Sequence, residues 1–135
     1  MREILFRAKR LDSDEWVEGD LSYLVHNKEK MYVFPTDGLD SADRYEVDPE
    51  TLCQYTGKSD EDGKKIFEGD IVGFIDLYST ESGYSESSCL GEVVWSEEEC
   101  CFHVTNRLSA ESFEVLDECK VVGNVFDNKE LLDEL

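Results

Sequence analysis

Turn-forming residues cut this chain into many short extended segments, leaving one helical pattern at its end. That rhythm constrains the fold more than any single motif, because short runs rich in β-branched and aromatic residues between turn signals read as strands. Glu3 to Ala8 is apolar-rich and is followed by the polar turn Leu11-Asp12-Ser13-Asp14. Trp16 to Val25 is extended and broken at Gly19, His26 to Lys30 is a turn, Met31 to Phe34 is a strand stopped by Pro35, and 36–44 is loop. Asp48 is placed to cap a short helical turn starting at Pro49, whose ring presets φ. Cys53 to Thr56 is extended, and Asp60-Glu61-Asp62-Gly63 signals a hairpin, because Asp-Gly suits positive φ.

Ile66 to Leu77 reads as the next strand and Ser79 to Ser88 as a polar, Ser-rich loop, the most flexible segment. Gly91 to Trp95, Cys101 to Thr105 and Lys120 to Phe126 are further strands, separated by a turn at Ser96-Glu97-Glu98 and a loop at 109–114. In the tail, Asp127 and Glu130 have the spacing of a capping box, which predicts a helix over 127–134 with Leu131 and Leu132 packed back on the body. The expected fold is mostly β and small-barrel-like. It is one domain over 1–135, or two related β lobes at about 1–56 and 57–126, with the short C-terminal helix.

One motif occurs twice. KIFEGDIV, Lys65 to Val72, echoes EWVEGDLS, Glu15 to Ser22, with Glu18, Gly19 and Asp20 in the places of Glu68, Gly69 and Asp70. Asp12-Ser13 and Asp62-Gly63 precede the two copies, and apolar residues flank both, as an internal duplication would leave them. Glycine between extended pieces permits a bend, and the following aspartate can accept a backbone N–H and fix it. Gly19, Asp20, Asp62, Gly63, Gly69 and Asp70 are therefore expected to serve the fold, with each Gly-Asp pair launching a strand. An acidic catalytic site would need a titratable partner that the spacing does not supply.

The balance of 13 basic against 33 acidic residues gives a net charge of −20. Such a surface repels polyanions, so direct contact with nucleic acid or anionic membrane is disfavoured and a basic protein partner is favoured. A homo-oligomer is also compatible with it. MREILFRAKR lacks the apolar core of a signal peptide, and no window approaches a membrane span, so a cytoplasmic location is expected. The odd number of cysteines, five, without framework spacing, agrees with reduced thiols.

MREILFRAKR, EWVEGDL, VDPETLCQYTG running into KSDEDGKKIFEGDIVGF, GEVVW and VVGNVFDNKELL, in that order, resemble the YopX family of phage and prophage proteins. The match leaves out mainly 36–44 and 79–88, and departs from the usual pattern at Cys53 and Lys129. The resemblance implies a mostly β protein in an infected or lysogenic bacterium with a part in phage–host biology. It offers no catalytic residues to carry over.

Other candidate chemistry is sparse. Cys100, Cys101 and His103 lack the paired spacing of a zinc site, and adjacent strand cysteines face opposite ways. Cys101 and His103 share a face at i, i+2, but no third orienting residue is evident. The cysteines are expected to be buried strand thiols, and Trp16, Trp95, Tyr23, Tyr32 and Phe74 to be core. No cofactor fingerprint occurs, and no catalytic, cofactor or metal residue is assigned. Three functions follow in order: a non-enzymatic accessory protein working through protein–protein contacts; an acidic DNA mimic, with Glu97-Glu98-Glu99 in its phosphate-like row, that inhibits a host nucleic-acid-binding enzyme; and a small Cys/His enzyme or metal protein built on Cys101 and His103.

Overall fold

A computed structural model describes residues 3–23, 30–35, 44–106, 113–114 and 118–133. The expected turn at 26–30, the loop at 36–44 and the loop at 109–114 fall largely outside them. The chain divides into two compact units, Met1–Gly57 and Lys58–Leu135. No helix among the described residues is long and apolar enough to cross a membrane.

The first unit contains β1 (Phe6–Lys9), β2 (Trp16–Tyr23), β3 (Met31–Pro35) and β4 (Tyr45–Val47), followed by a 3-10 turn at Pro49–Thr51 and β5 (Cys53–Ser59). Asp48 accepts from the Glu50 N–H at 3.0 Å, and Pro49 opens the turn, so the local signal in the sequence is used as read. The four leading strands form an antiparallel meander, and β5 returns to pair with β1 through Phe6↔Gln54 and Arg7↔Cys53. Ala8, Val17, Met31, Val33 and Val47 are the buried core, with Leu21, Tyr45 and Leu52 against it. Trp16 is half-buried, with the Arg7 guanidinium 4.7 Å from its ring centre.

The second unit holds β6 (Lys65–Phe67), β7 (Asp70–Thr80), β8 (Gly83–Ser96), β9 (Cys101–Thr105), β10 (Phe113–Glu114), β11 (Lys120–Asn124) and the helix α1 (Lys129–Leu132). Its antiparallel sheet has the order β10-β9-β8-β7-β11, and the strands of the first unit run β4-β3-β2-β1-β5. Neither sheet closes into a barrel among the described residues. Ile66, Val72, Phe74, Val93, Val104 and Cys119 form the core of the second unit. Trp95, expected inside, is 45% exposed and stacks edge-on against Phe102, with ring centres 5.0 Å apart. It shares the core face with Val93 but lies at its rim, one pair from the end of the β8–β9 ladder.

Two elements differ from expectation. Ser79 to Ser88 is not a loop: β7 and β8 pair continuously from Ile71↔Glu92 to Thr80↔Gly83. The pairing satisfies the backbone of this polar segment, and Gly83, at φ +129, sits at the turn where the strands reverse. On β8 the residues from Gly83 to Ser88 are exposed apart from half-buried Ser85, so this half of the ribbon needs no apolar alternation and leaves no period in the sequence. The C-terminal helix is four residues long and its N-cap, Asn128, makes no side-chain cap bond. Asp127 does not cap it either; the Asn124 amide holds Asp127, and Asn124 and Asn128 side chains bind the turn backbone instead.

Candidate functional site

The face of the second sheet that lies opposite its core carries a hollow of about 340 Å³. Gly73 and Ile75 alternate along β7, Leu90 and Ser88 stand across from them on β8, and Lys120 and Val122 line the β11 side. The floor is open because Gly73 has no side chain. A Cβ there would come to within 3.7 Å of Leu90 and 3.8 Å of Val122, which is ordinary contact. Ile75 is 59% and Val122 48% exposed, the latter because a register shift between Val121 and Gly123 turns it outward. Glu61 and Glu118 stand at the rim, and the ammonium of Lys120 is held by Glu61 at 3.3 Å and Asp62 at 3.9 Å. Those carboxylates raise the Lys120 pKa, with the hydrogen bond to Glu61 the larger cause.

Beyond this hollow β7 and β8 run on together without a third strand. β11 reaches only Gly73 on β7, and β9 reaches only Glu92 on β8, so among the described residues no third strand is laddered to the ribbon from Ile75 to Cys89, while the Asn106 amide donates to the Leu90 carbonyl at 3.1 Å beside it. A strand edge with no neighbouring strand, beside exposed apolar side chains, is a template for an added strand.

A second cluster lies where β8 passes into β9. The His103 ring is buried, and its Nε2 lies 3.0 Å from the Cys101 sulfur and 3.0 Å from the Glu99 carboxylate. Donor atoms of all three residues fall within 4.8 Å of one another. Cys101 and His103 share a face, as their spacing implies. Glu99 is the member that sequence reasoning missed. Its signal was present in the alternation 99, 101, 103, hidden by the turn that separates Glu99 from the strand.

The repeated Glu-Gly-Asp is used in two ways. At Gly69, φ is +85, its N–H donates to Val93 at 2.8 Å and its carbonyl accepts from Val125 at 2.9 Å. The buried Asp70 carboxylate accepts from the Phe67 N–H at 2.8 Å, so this pair bends the chain and launches β7. Gly19, in contrast, is not at a bend. It lies inside the continuous strand β2, between Phe6 and Pro35, where a Cβ would overlap the Phe34 carbonyl. Close approach of a neighbouring backbone, rather than a turn, requires the glycine there, and Asp20 is simply exposed. Gly63, at φ +84, closes the β5–β6 turn, with Asp62 donating its N–H to Asp60 at 3.0 Å. Asp60 itself also accepts from Lys64 and, at 3.0 Å, from Val121 of β11. The Val121 bond, followed by those from Lys64 and Asp62, holds its carboxyl below the ordinary value. Burial raises the Glu92 carboxyl, and the neighbouring Glu68 charge adds to the shift.

Fold and site together define a small two-unit antiparallel β protein whose exposed features lie on a sheet face, a strand ribbon and a hairpin turn. The chain belongs to the YopX protein family, whose model it matches over residues 5–133. It is similar to the crystal structure of protein EF1440 from Enterococcus faecalis, with a TM-score of 0.55 and 22% identity over 98% of this chain and 99% of that one. At that identity the likeness concerns the fold alone. Comparison with curated proteins found no match.

Proposed function

We propose that the protein is a non-enzymatic phage or prophage accessory protein that acts by binding another protein at the Gly73 hollow. The observation that carries this reading is an apolar depression on the outer sheet face, with Ile75 59% and Val122 48% exposed, where the β11 ladder on β7 ends at Gly73. Membership of the YopX family supports the phage setting. The occupant that suits the site is an extended segment of a basic partner. Its backbone adds to β7 beyond β11, one apolar side chain enters the hollow, and flanking Lys or Arg meets Glu61 and Glu118. The net charge of −20 favours the same partner sign.

Gly73→Val tests the site without attacking the fold, because the position has room for a Cβ and a strand gains from a β-branched residue. In affinity capture from the bacterial host, wild type should retain a protein that purified Gly73→Val and Ile75→Asp both lose. Equal retention by Gly73→Val would overturn the site. Retention that depends on salt alone, through a nucleic-acid-binding enzyme, would replace it with the acidic-mimic reading.

A further inference from the structure

We propose that Glu99, Cys101 and His103 form a three-ligand site for one zinc-class divalent ion, leaving the fourth coordination position open. This is independent of the docking reading, since it uses neither the hollow nor the ribbon. The argument starts from where the bonds converge. A histidine held for structure spreads its hydrogen bonds over both ring nitrogens, and a Cys–His–carboxylate relay needs the thiol on one nitrogen and the carboxylate on the other. Here the Cys101 sulfur and the Glu99 oxygen both lie 3.0 Å from the same atom, Nε2. The other nitrogen, Nδ1, is buried and has no hydrogen-bond partner among the described residues. Three ligand atoms gathered within 4.8 Å of one another on one side of the imidazole suit a coordination site better than a proton relay.

The donor set and geometry fit an ion of this class. Thiolate, imidazole and carboxylate together suit zinc or its spectroscopic substitute cobalt, and three protein ligands with an open position recur in zinc sites that exchange a fourth ligand. Tetrahedral bond lengths of about 2.0–2.3 Å require donor atoms roughly 3.3–3.6 Å apart. The contacts at 3.0 Å must therefore open by about half an ångström. The freedom for this lies with Glu99, whose side chain is 65% exposed on the turn, while the 5% exposed His103 stays fixed. Cys100 holds φ +55 at the end of that turn, just before the Ser96↔Cys101 pair, so Glu99 can reach back over the strand. Glu97 and Glu98 add negative potential that favours a cation. On binding, the Cys101 thiol proton leaves to solvent and the imidazole proton resides on Nδ1. With no partner on Nδ1 among the described residues to brace the ring, the site is an exchangeable one rather than a structural one.

The test is titration of cobalt(II) into the reduced protein, followed by zinc. One equivalent should produce d–d absorption together with a thiolate-to-cobalt charge-transfer band, and zinc should bleach both. Cys101→Ser should remove the charge-transfer band and weaken binding on the order of 100-fold, with Glu99→Gln weakening it about 10-fold or more, the scale set by the cost of losing even outer-shell support. Cys100→Ser should leave the spectrum unchanged. Circular dichroism of each variant reports folding, and the exposed Glu99 keeps the test decisive if a strand variant misfolds. Absence of a saturable thiolate–cobalt band in wild type, or a band that survives Cys101→Ser, overturns the proposal.

Discussion

The two units are built to the same plan and spend the same motif differently. Each has a four-strand antiparallel meander, and each is completed by a later strand that pairs with the first: β4-β3-β2-β1-β5 in one, β10-β9-β8-β7-β11 in the other. If the Glu-Gly-Asp echo marked that repeat, both copies would fall at the same topological position. They do not. Gly19-Asp20 is in the middle of β2, the second strand of its meander, and Gly69-Asp70 opens β7, the first strand of its own. The repeated architecture and the repeated tripeptide are thus out of register with each other. Three shared residues satisfy two physical demands, a backbone crossing in one unit and a left-handed bend in the other.

Substitutions at the two glycines break this comparison most directly. Gly19→Ala should cost about 3 kcal/mol or more in denaturant unfolding, since even one methyl overlaps the Phe34 carbonyl and overpacking of this kind is expensive. Gly69→Val should cost about 2–3 kcal/mol through its positive φ. Asparagine separates the mechanisms, because it tolerates the left-handed region: Gly69→Asn should lose under about 1 kcal/mol, whereas Gly19→Asn should do no better than alanine. Equal costs for the two asparagine variants would mean that both glycines serve one role after all.

Two carboxylates in the second unit sharpen the picture by responding to acid in opposite directions. Asp60 is held below its ordinary value by Val121, Lys64 and Asp62 N–H groups, so the stability it adds is full above the unfolded value and disappears as pH falls through the folded one. Asp60→Asn should therefore cost about 1–3 kcal/mol at neutral pH, and the difference from wild type should shrink in acid. A gap that stays constant with pH would show that shape, not charge, matters there. Glu92 is raised by burial and by Glu68, so wild type gains from its protonation as pH falls. Glu92→Gln should melt higher than wild type at neutral pH by less than about 1 kcal/mol, a half-buried charge being screened, and should lose that advantage in acid. Glu68→Gln should change stability least, by under about 0.5 kcal/mol.

Local chemistry was legible in the sequence wherever a few adjacent residues decide the outcome. Asp48-Pro49 and Asp60 to Gly63 form the cap and turn that their side chains imply, and the strand-turn rhythm conveys the mostly β fold. What stayed hidden depends on neighbours distant in the chain. The requirement at Gly19 comes from Phe34, a contact no local pattern encodes. The β8 half of the ribbon is solvated from Gly83 to Ser88 and so carries no apolar periodicity, which makes this Ser-rich stretch resemble a loop. Asp127 and Glu130 have capping-box spacing, but Asn124 and Asn128 bind the turn first. In the hairpin cluster, Cys101 and His103 were visible as a pair, whereas Glu99 joins them only through the conformation of Cys100.

The shared strand order also has a consequence for synthesis. A ribosome delivers the chain from its N-terminus, so β1 emerges well before Cys53 and Gln54, its partners on β5, and β7 well before Lys120 to Asn124. Until those late segments appear, each nascent sheet exposes the edge of its founding strand, and for β7 the wait lasts until Lys120 to Asn124 have been made. A chain stopped short of Lys120 would retain that edge permanently, bordered by Val72 and Ile71, in the form most prone to self-association.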